Sequence, residues 1–179
     1  KGQTWTLGAL LNALLLYSGN DVAVAIAEHI GGTEEAFVQM MNERAKELMA
    51  YNTHYCNPHG LHEDDHYTTA YDIYLIFQKC IQDERFVNII NQDACTVSYR
   101  NADGSTAQTT FHATNYYAKG EATPPDNVTI IGGKTGTTKG AGNCLILLTK
   151  DSSGNPYISI IMGAGSKPLL YQDMTSMLS

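Results

Sequence analysis

The sequence predicts an α+β fold in which a helical lobe packs on an antiparallel sheet. Apolar residues recur at helical spacing through about the first ninety residues, and β-branched residues become frequent after Gln92. The strand candidates are joined by short turns, whereas parallel strands would require crossovers of a dozen residues or more. We therefore expect a mostly helical lobe at 1–127, with a hairpin near 95–110. Residues 128–179 are expected to form a sheet lobe of three antiparallel strands plus a C-terminal helix.

The first two helices are predicted from their apolar residues. Leucines recur at helical spacing between Leu7 and Leu15. Residues 22–27 are apolar on every face, which predicts a central, fully buried helix. Gly31-Gly32 follows as its expected end, because glycine readily adopts the left-handed conformation that closes a helix.

The next helices are predicted from their starts. Thr33 precedes two glutamates, a capping residue followed by carboxylates at the positive end of the helix dipole. Thr69 and Asp72 have the spacing of a capping box, which predicts a helix over 69–82. A short helical segment is expected near 84–91.

Strand signals fill the second half of the chain. A hairpin is predicted around the turn Asn101–Gly104, and a loop with Pro124-Pro125 follows it. The predicted strands are Cys95–Arg100, Ser105–Thr110, Val128–Lys134, Cys144–Lys150 and Tyr157–Gly163, and Leu169–Leu178 is predicted to close the chain as a short helix.

Length and charge restrict the class of protein. The 179 residues suit one domain, or two small lobes that share a core. Eleven basic and eighteen acidic residues give a net charge of −7, which argues against nucleic acid and anionic membrane surfaces as partners. The longest apolar stretch, Leu7–Tyr17, is too short to span a membrane and lacks the basic flank of a secretion signal. Because the sequence starts at Lys1 rather than Met, we expect a processed or trimmed product, whose lack of a signal peptide says nothing about its compartment.

The four cysteines do not form a metal or redox motif. Cys56, Cys80, Cys95 and Cys144 include no Cys-x-x-Cys pair, which argues against zinc-ribbon and thioredoxin-like folds. Spacing alone leaves a disulfide open. Buried free thiols that act as small apolar residues are the preferred interpretation.

The triplet Lys134-Thr135-Gly136 follows a β-branched run. A phosphate-binding loop is excluded, because its glycine-lysine pattern would require glycine where Val128 stands. Glycines on both sides remove side-chain bulk, which is costly inside a strand unless another backbone approaches closely. A substrate peptide along this edge would explain them.

The triplet Ser18-Gly19-Asn20 lies where the first helix should stop and the second begin. Ser18 and Asp21 fit an ordinary capping box. The functional alternative is a hydroxyl and an amide that face a cleft from a rigid helix entrance. The two interpretations are compatible, with Ser18 both capping and relaying a proton.

A histidine-rich loop, His59–His66, contains three imidazoles and three carboxylates. Its spacing fits neither the helical His-Glu-x-x-His pattern nor a Cys/His ribbon. Polar loops that bind their own backbone are much commoner, so we expect no metal and no cofactor.

Together, the motifs resemble the low-molecular-mass penicillin-binding proteins, the serine-type D-alanyl-D-alanine carboxypeptidases. A catalytic set with these signatures also contains Ser-x-x-Lys, and no serine of this sequence has a lysine three residues later. The stretches that carry the resemblance, in the family's order, are Leu14–Ala23, Asn52–Leu61, Thr69–Asp72 and Gly133–Thr137. The resemblance implies a fold of the β-lactamase/transpeptidase type, and a structural role for the histidine-rich loop.

The resemblance also implies a chemistry. The absent serine would attack the carbonyl between the two D-alanines of a peptidoglycan stem peptide, and β-lactams would be trapped as acyl-enzymes. Ser18, Asn20 and Lys134 would be catalytic, with Lys134 bridged to the serine–lysine dyad by the Ser18 hydroxyl. Thr135, Gly136 and Thr137 would bind substrate, Thr135 at the terminal carboxylate and the Thr137 N–H in the oxyanion hole.

Two departures from the family pattern shape the expectations. The dyad segment and the first strands of the sheet are expected to lie before Lys1, so the chain alone should neither hydrolyse D-Ala-D-Ala nor be acylated by penicillin. Some relatives carry an arginine beyond the last strand, where this sequence has Ser166-Lys167-Pro168, so Lys167 either substitutes for it or the contact is lost.

The expected setting is extracytoplasmic, in the cell envelope, with peptidoglycan stem peptides and β-lactams as partners. The alternative is a non-catalytic relative that binds wall peptide or a protein partner. Without the first strands, the strand Tyr157–Gly163 should have a free edge and a groove should open between the lobes. Self-association or strand swapping is therefore predicted.

Overall fold

The structure is a computed structural model that describes residues 2–179; Lys1 lies outside the described residues. Helices dominate the first half, and two antiparallel sheets occupy the second. The helices are α1 (Leu7–Asn12), a π-helical segment (Ala13–Tyr17), α2 (Asn20–Gly31), α3 (Glu34–Glu47), α4 (Ala70–Cys80), α5 (Glu84–Ile90), α6 (Tyr116–Lys119) and α7 (Lys167–Leu178). The strands are β1 (Ala94–Arg100), β2 (Thr106–His112), β3 (Val128–Thr138), β4 (Gly142–Asp151) and β5 (Pro156–Ala164).

The main sheet has the order β3-β4-β5, with both pairings antiparallel. Its central strand is buried on both faces, because successive side chains of a strand point to opposite sides. Leu145 and Leu147 pack against α7, in a cluster that includes Met174. Ile146 and Leu148 pack on the other face against Phe77 of α4 and Ile90 of α5. The sheet is thus sandwiched between α7 and the helical part, as the α+β prediction requires.

The hairpin β1–β2 forms a separate two-stranded sheet. Its register pairs Ala94 with His112 and Arg100 with Thr106, so the predicted hairpin is confirmed. The Trp5 ring stacks on Tyr99 with centroids 4.3 Å apart, which ties the N-terminal segment to this sheet.

The helix caps form largely as predicted. The Thr33 Oγ1 accepts from the Ala36 N–H, and the Thr69 Oγ1 accepts from the Asp72 N–H, each at 3.1 Å. The Asp72 carboxylate does not return to Thr69. It accepts instead from the Asn52 N–H and the Thr53 hydroxyl, both at 2.7 Å, so this buried side chain holds the preceding loop.

Several predictions on individual elements are corrected. Helix α2 is not fully buried: Ala25 is exposed, because α1, the π-helical segment and α3 cover one side only. The short helix α6 was not predicted, and β3 runs past its predicted end at Lys134. The four cysteines are free thiols, and all are half-buried rather than buried. Within the described chain, no helix combines the length and the apolar character needed to cross a membrane.

Candidate active site

Ser18 lies at a backbone irregularity between two helices. The π-helical segment ends there, and Ser18 adopts the left-handed conformation, with φ 63° and ψ 43°. This conformation is uncommon for residues other than glycine, and π-helical turns are frequent at functional sites. The predicted capping role is wrong. Gly19 is the N-cap of α2, and the Asp21 carboxylate accepts from the neighbouring Val22 N–H. The Ser18 hydroxyl is therefore available for another partner.

That partner is Lys134 of β3. The Lys134 ammonium donates to the Ser18 Oγ, although the two residues are 116 positions apart in the chain. It also donates to the Thr135 carbonyl oxygen at 2.8 Å. Burial lowers the pKa of Lys134 from 10.5 to about 8, because desolvation disfavours the charged amine. The neutral, proton-accepting form of this amine is therefore more accessible than in an exposed lysine.

A second set of contacts fixes the π-helical segment to β3. The Thr114 N–H donates to the Leu16 carbonyl oxygen at 3.2 Å, which holds the segment that carries Ser18. The Thr114 hydroxyl lies 2.6 Å from the Thr135 hydroxyl on β3. Thr114 therefore links the two elements beside the contact between Ser18 and Lys134. Thr114 lies in the loop between β2 and α6, outside the motifs identified in the sequence.

The glycines before Lys134 have a different cause from the one predicted. A Cβ on Gly132 would lie 2.0 Å from the Ile90 carbonyl oxygen, and one on Gly133 would lie 2.0 Å from the Ile146 carbonyl oxygen. The backbone that approaches closely belongs to α5 and β4 of the chain itself. No substrate peptide is needed to explain these two glycines.

The predicted site residues meet in one cleft of about 630 Å³. Ser18 and Asn20 line it from the helical side, and Lys134, Thr135, Gly136 and Thr137 line it from β3. Lys167, at the start of α7, also lines the cleft, with its ammonium 5.8 Å from the centre of the Tyr116 ring. Lining residues that the motifs did not indicate include Thr114, Tyr116, Cys144 and Tyr171.

The loop between α3 and α4 forms another wall of the cleft. The buried Asn57 organises it, because its amide donates to the Leu61 carbonyl oxygen and to Glu63, each at 2.9 Å, and accepts from the Gly60 N–H. His59 and His66 line the cleft, whereas His62 does not. The three histidines of His59–His66 therefore do not all face the cleft.

Comparison with known proteins agrees with this geometry. The Peptidase_S11 family, described as D-alanyl-D-alanine carboxypeptidase, matches residues 1–166. The chain belongs to this family. The low-molecular-mass penicillin-binding family indicated by the motifs is thereby confirmed.

Individual relatives give the extent of the match within this carboxypeptidase family. The chain is 31% identical over 170 residues to D-alanyl-D-alanine carboxypeptidase DacD of Salmonella typhimurium, covering 93% of the chain and 39% of the relative. It is 43% identical over 83 residues to DacF of Bacillus subtilis, covering 46% of the chain and 21% of the relative. The chain therefore spans well under half the length of these two carboxypeptidases.

A solved structure confirms the fold class. The chain superimposes on the crystal structure of the Streptomyces K15 DD-transpeptidase with a TM-score of 0.89 and 26% identity. The match covers 98% of this chain and 67% of that protein. The α+β fold of the transpeptidase type is thus the fold of this family member.

Proposed function

We propose that this chain provides most of the catalytic cleft of a serine-type D-Ala-D-Ala carboxypeptidase that acts on peptidoglycan stem peptides. The observation that carries the proposal is the contact of the Lys134 amine with the Ser18 hydroxyl inside the cleft. A desolvated amine next to a hydroxyl, on a rigid strand, is suited to proton transfer during acyl transfer. Membership of the carboxypeptidase family supports the same chemistry.

Each site residue has a role in the proposed reaction. The serine of a Ser-x-x-Lys segment, absent from this sequence, attacks the carbonyl carbon between the two D-alanines. The C–N bond breaks, the proton of the serine reaches the leaving amine, and D-alanine departs. Lys134 and Ser18 carry this proton, and Asn20 holds the peptide amide.

The end of β3 binds the reacting peptide. The Thr135 hydroxyl donates to the terminal carboxylate, next to the positive Lys134, while Gly136 leaves space beside it. The Thr137 N–H stabilises the oxyanion together with the N–H of the attacking serine. Water then hydrolyses the ester, and a β-lactam is retained at the ester stage.

Fluorescent penicillin tests the assignment of Lys134. We predict that the reading frame upstream of Lys1 encodes Ser-x-x-Lys, and that the protein expressed from it is covalently labelled. Lys134→Ala should slow labelling by ~10²–10⁴-fold, the usual range for losing a proton-transfer group. Lys150→Ala removes an exposed lysine of β4 and serves as the control. Equal labelling of Lys134→Ala and the unmodified protein would reject the assignment.

A second candidate function rests on the missing Ser-x-x-Lys. A non-catalytic relative would keep the cleft and bind wall peptide, or a protein partner, without forming an ester. An upstream reading frame that lacks Ser-x-x-Lys, with no covalent label, would favour this alternative. The intact Ser18, Asn20 and Lys134 support the enzymatic function, because a decayed site would be expected to lose some of them.

The setting and the partners follow from the proposed substrate. Stem peptides lie outside the cytoplasmic membrane, so we place the protein in the cell envelope, with stem peptide and β-lactams as ligands.

For the chain alone we also propose self-association through β5. Among the described residues, β5 is hydrogen-bonded to a strand on one side only, which leaves a free edge.

A further inference from the structure

The loop between α3 and α4 brings three metal-ligating side chains to one point. Its two limbs are joined by one antiparallel bridge, in which His54 and Tyr67 exchange both backbone hydrogen bonds, at 2.9 and 3.0 Å. The ladder stops beyond this bridge, since the Cys56 N–H donates to His66 Nδ1 at 3.2 Å. The side chains of Cys56 and Asp65 both reach His54 Nδ1. The loop thus gathers an imidazole, a thiol and a carboxylate.

The opposite face of the same limbs belongs to the cleft. Tyr55 and His66 alternate with the three residues, pack edge to face with ring centres 5.7 Å apart, and line the cleft. The cluster of His54, Cys56 and Asp65 therefore lies behind the cleft wall and is separate from the proposed catalytic groups.

Two of the three distances within the cluster are close to those of a tetrahedral metal site. His54 Nδ1 lies 3.2 Å from Asp65 Oδ2 and 3.8 Å from Cys56 Sγ, and all three ligand atoms lie within 4.8 Å of one another. Tetrahedral zinc, with bonds of about 2.3 Å to sulfur and about 2.0–2.2 Å to nitrogen and oxygen, separates such ligands by about 3.4–3.6 Å. The His54–Asp65 and His54–Cys56 separations lie within a few tenths of an ångström of those values.

We propose that His54, Cys56 and Asp65 form a binding site for a thiophilic divalent cation of the zinc class. A thiolate with an imidazole selects zinc over magnesium or calcium, which prefer oxygen ligands alone. Three protein ligands leave the fourth tetrahedral position to water. The proposal stands apart from the proposed catalytic function, because it uses none of the residues assigned to the reaction.

Binding would replace contacts that hold the loop without metal. His54 Nδ1 lies 2.6 Å from the Asp65 carbonyl oxygen, so in the metal-free loop the Nδ1–H donates there. A cation at Nδ1 requires the imidazole proton to move to Nε2 and the Cys56 thiol to lose its proton to solvent. Cys56 and His54 are half-buried and Asp65 is exposed, so the site is open to solvent ions.

A bound cation would join the two limbs of the loop that forms the cleft wall. Without it, the limbs are joined by the hydrogen bonds of the single pair His54–Tyr67 and by polar side chains. Because an ion that binds only the folded state stabilises it by mass action, zinc should raise the melting temperature of the chain.

Cobalt provides a direct test, since Co²⁺ substitutes for zinc and shows a thiolate charge-transfer absorption in the near ultraviolet. The chelator-treated full chain is titrated with CoCl₂, and binding of ZnCl₂ is measured by calorimetry. We expect one equivalent of either ion, a thiolate band, and a higher melting temperature. Loss of a ligand in Cys56→Ser should weaken binding by more than about 100-fold, the upper end for removing a group that only orients a ligand.

Two further variants separate metal binding from misfolding. Asp65→Asn alters an exposed side chain and keeps the main-chain contact of residue 65 to His54, so this variant should fold normally. It should nevertheless bind the cation more weakly than the unmodified chain. Cys95→Ser removes a thiol of the hairpin β1–β2 and should bind like the unmodified chain. The proposal is overturned if the unmodified chain shows no thiolate band, or if Cys56→Ser and Asp65→Asn retain full affinity.

Discussion

At the scale of single residues, the amine of Lys134 combines desolvation with two hydrogen bonds. It is desolvated enough to lower its pKa to about 8, and it still donates to the Ser18 hydroxyl and the Thr135 carbonyl oxygen. Desolvation raises the free energy of the charged amine. The amine is nevertheless held in place, because the glycines before it on β3 pack tightly against α5 and β4.

The lowered pKa of Lys134 predicts a pH-dependent stability. The unfolded amine keeps a pKa near 10.5, so between about pH 8 and pH 10.5 the unfolded state binds more protons than the folded state. Stability therefore rises with pH across that window, and below it the destabilising contribution of this group is constant. Across this window, the melting temperature of the unmodified chain should rise relative to that of Lys134→Met. The expected gain is on the order of 2–4 °C for each kcal/mol of unfolding free energy. Thermal unfolding of both proteins from pH 7 to pH 11 measures the difference, and a constant difference would contradict the prediction.

At the scale of helices and strands, local signals predicted most of the fold. Thr33 and Thr69 marked two helix starts, because a cap depends only on residues within one turn. The hairpin and the three strands of the sheet followed from β-branched runs and turns. The short helix α6 was missed, since four residues carry too little periodicity.

The site was less accessible to sequence reasoning than the fold. The left-handed conformation of Ser18 follows a π-helical turn, which no capping pattern anticipates. Gly132 contacts the Ile90 backbone, and Thr114 contacts Thr135, through packing between distant segments. The pairing of Ser18 with Lys134 was expected from the family resemblance, not from the residues alone.

Asp72, in the first turn of α4, is predicted to stabilise the loop that precedes this helix. Asp72→Ala should destabilise the chain by ~1–3 kcal/mol, because the Asn52 N–H and the Thr53 hydroxyl lose their buried acceptor. Asp173→Ala, at an exposed position of α7, should stay within about 0.5 kcal/mol of the unmodified chain. Urea unfolding of the three proteins measures the free energies. Equal values for both variants would show that the Asp72 contacts do not hold the loop.

At the scale of the whole molecule, β4 is the central strand against which the other elements pack. Because β4 is buried on both faces, the chain has apolar clusters on either side of the sheet, one under α7 and one under α4 and α5. β3 presents Lys134 to the cleft at one side of β4, and β5 lies at the other side. The proposed catalytic cleft and the edge of β5 that pairs with no strand of residues 2–179 therefore lie on opposite margins of the same sheet.

The free edge of β5 predicts that the chain alone self-associates. Unpaired N–H and C=O groups on an edge strand form a template for a second copy, and β5 adds exposed apolar side chains at Tyr157 and Met162. Light scattering should show a mass that increases with protein concentration. Met162→Lys should shift the chain toward monomer, because a charged side chain on an edge strand opposes pairing. Met177→Lys makes the same change at an exposed position near the end of α7 and should leave association unchanged. A monomer at every concentration, or equal effects of the two lysines, would show that β5 does not mediate assembly.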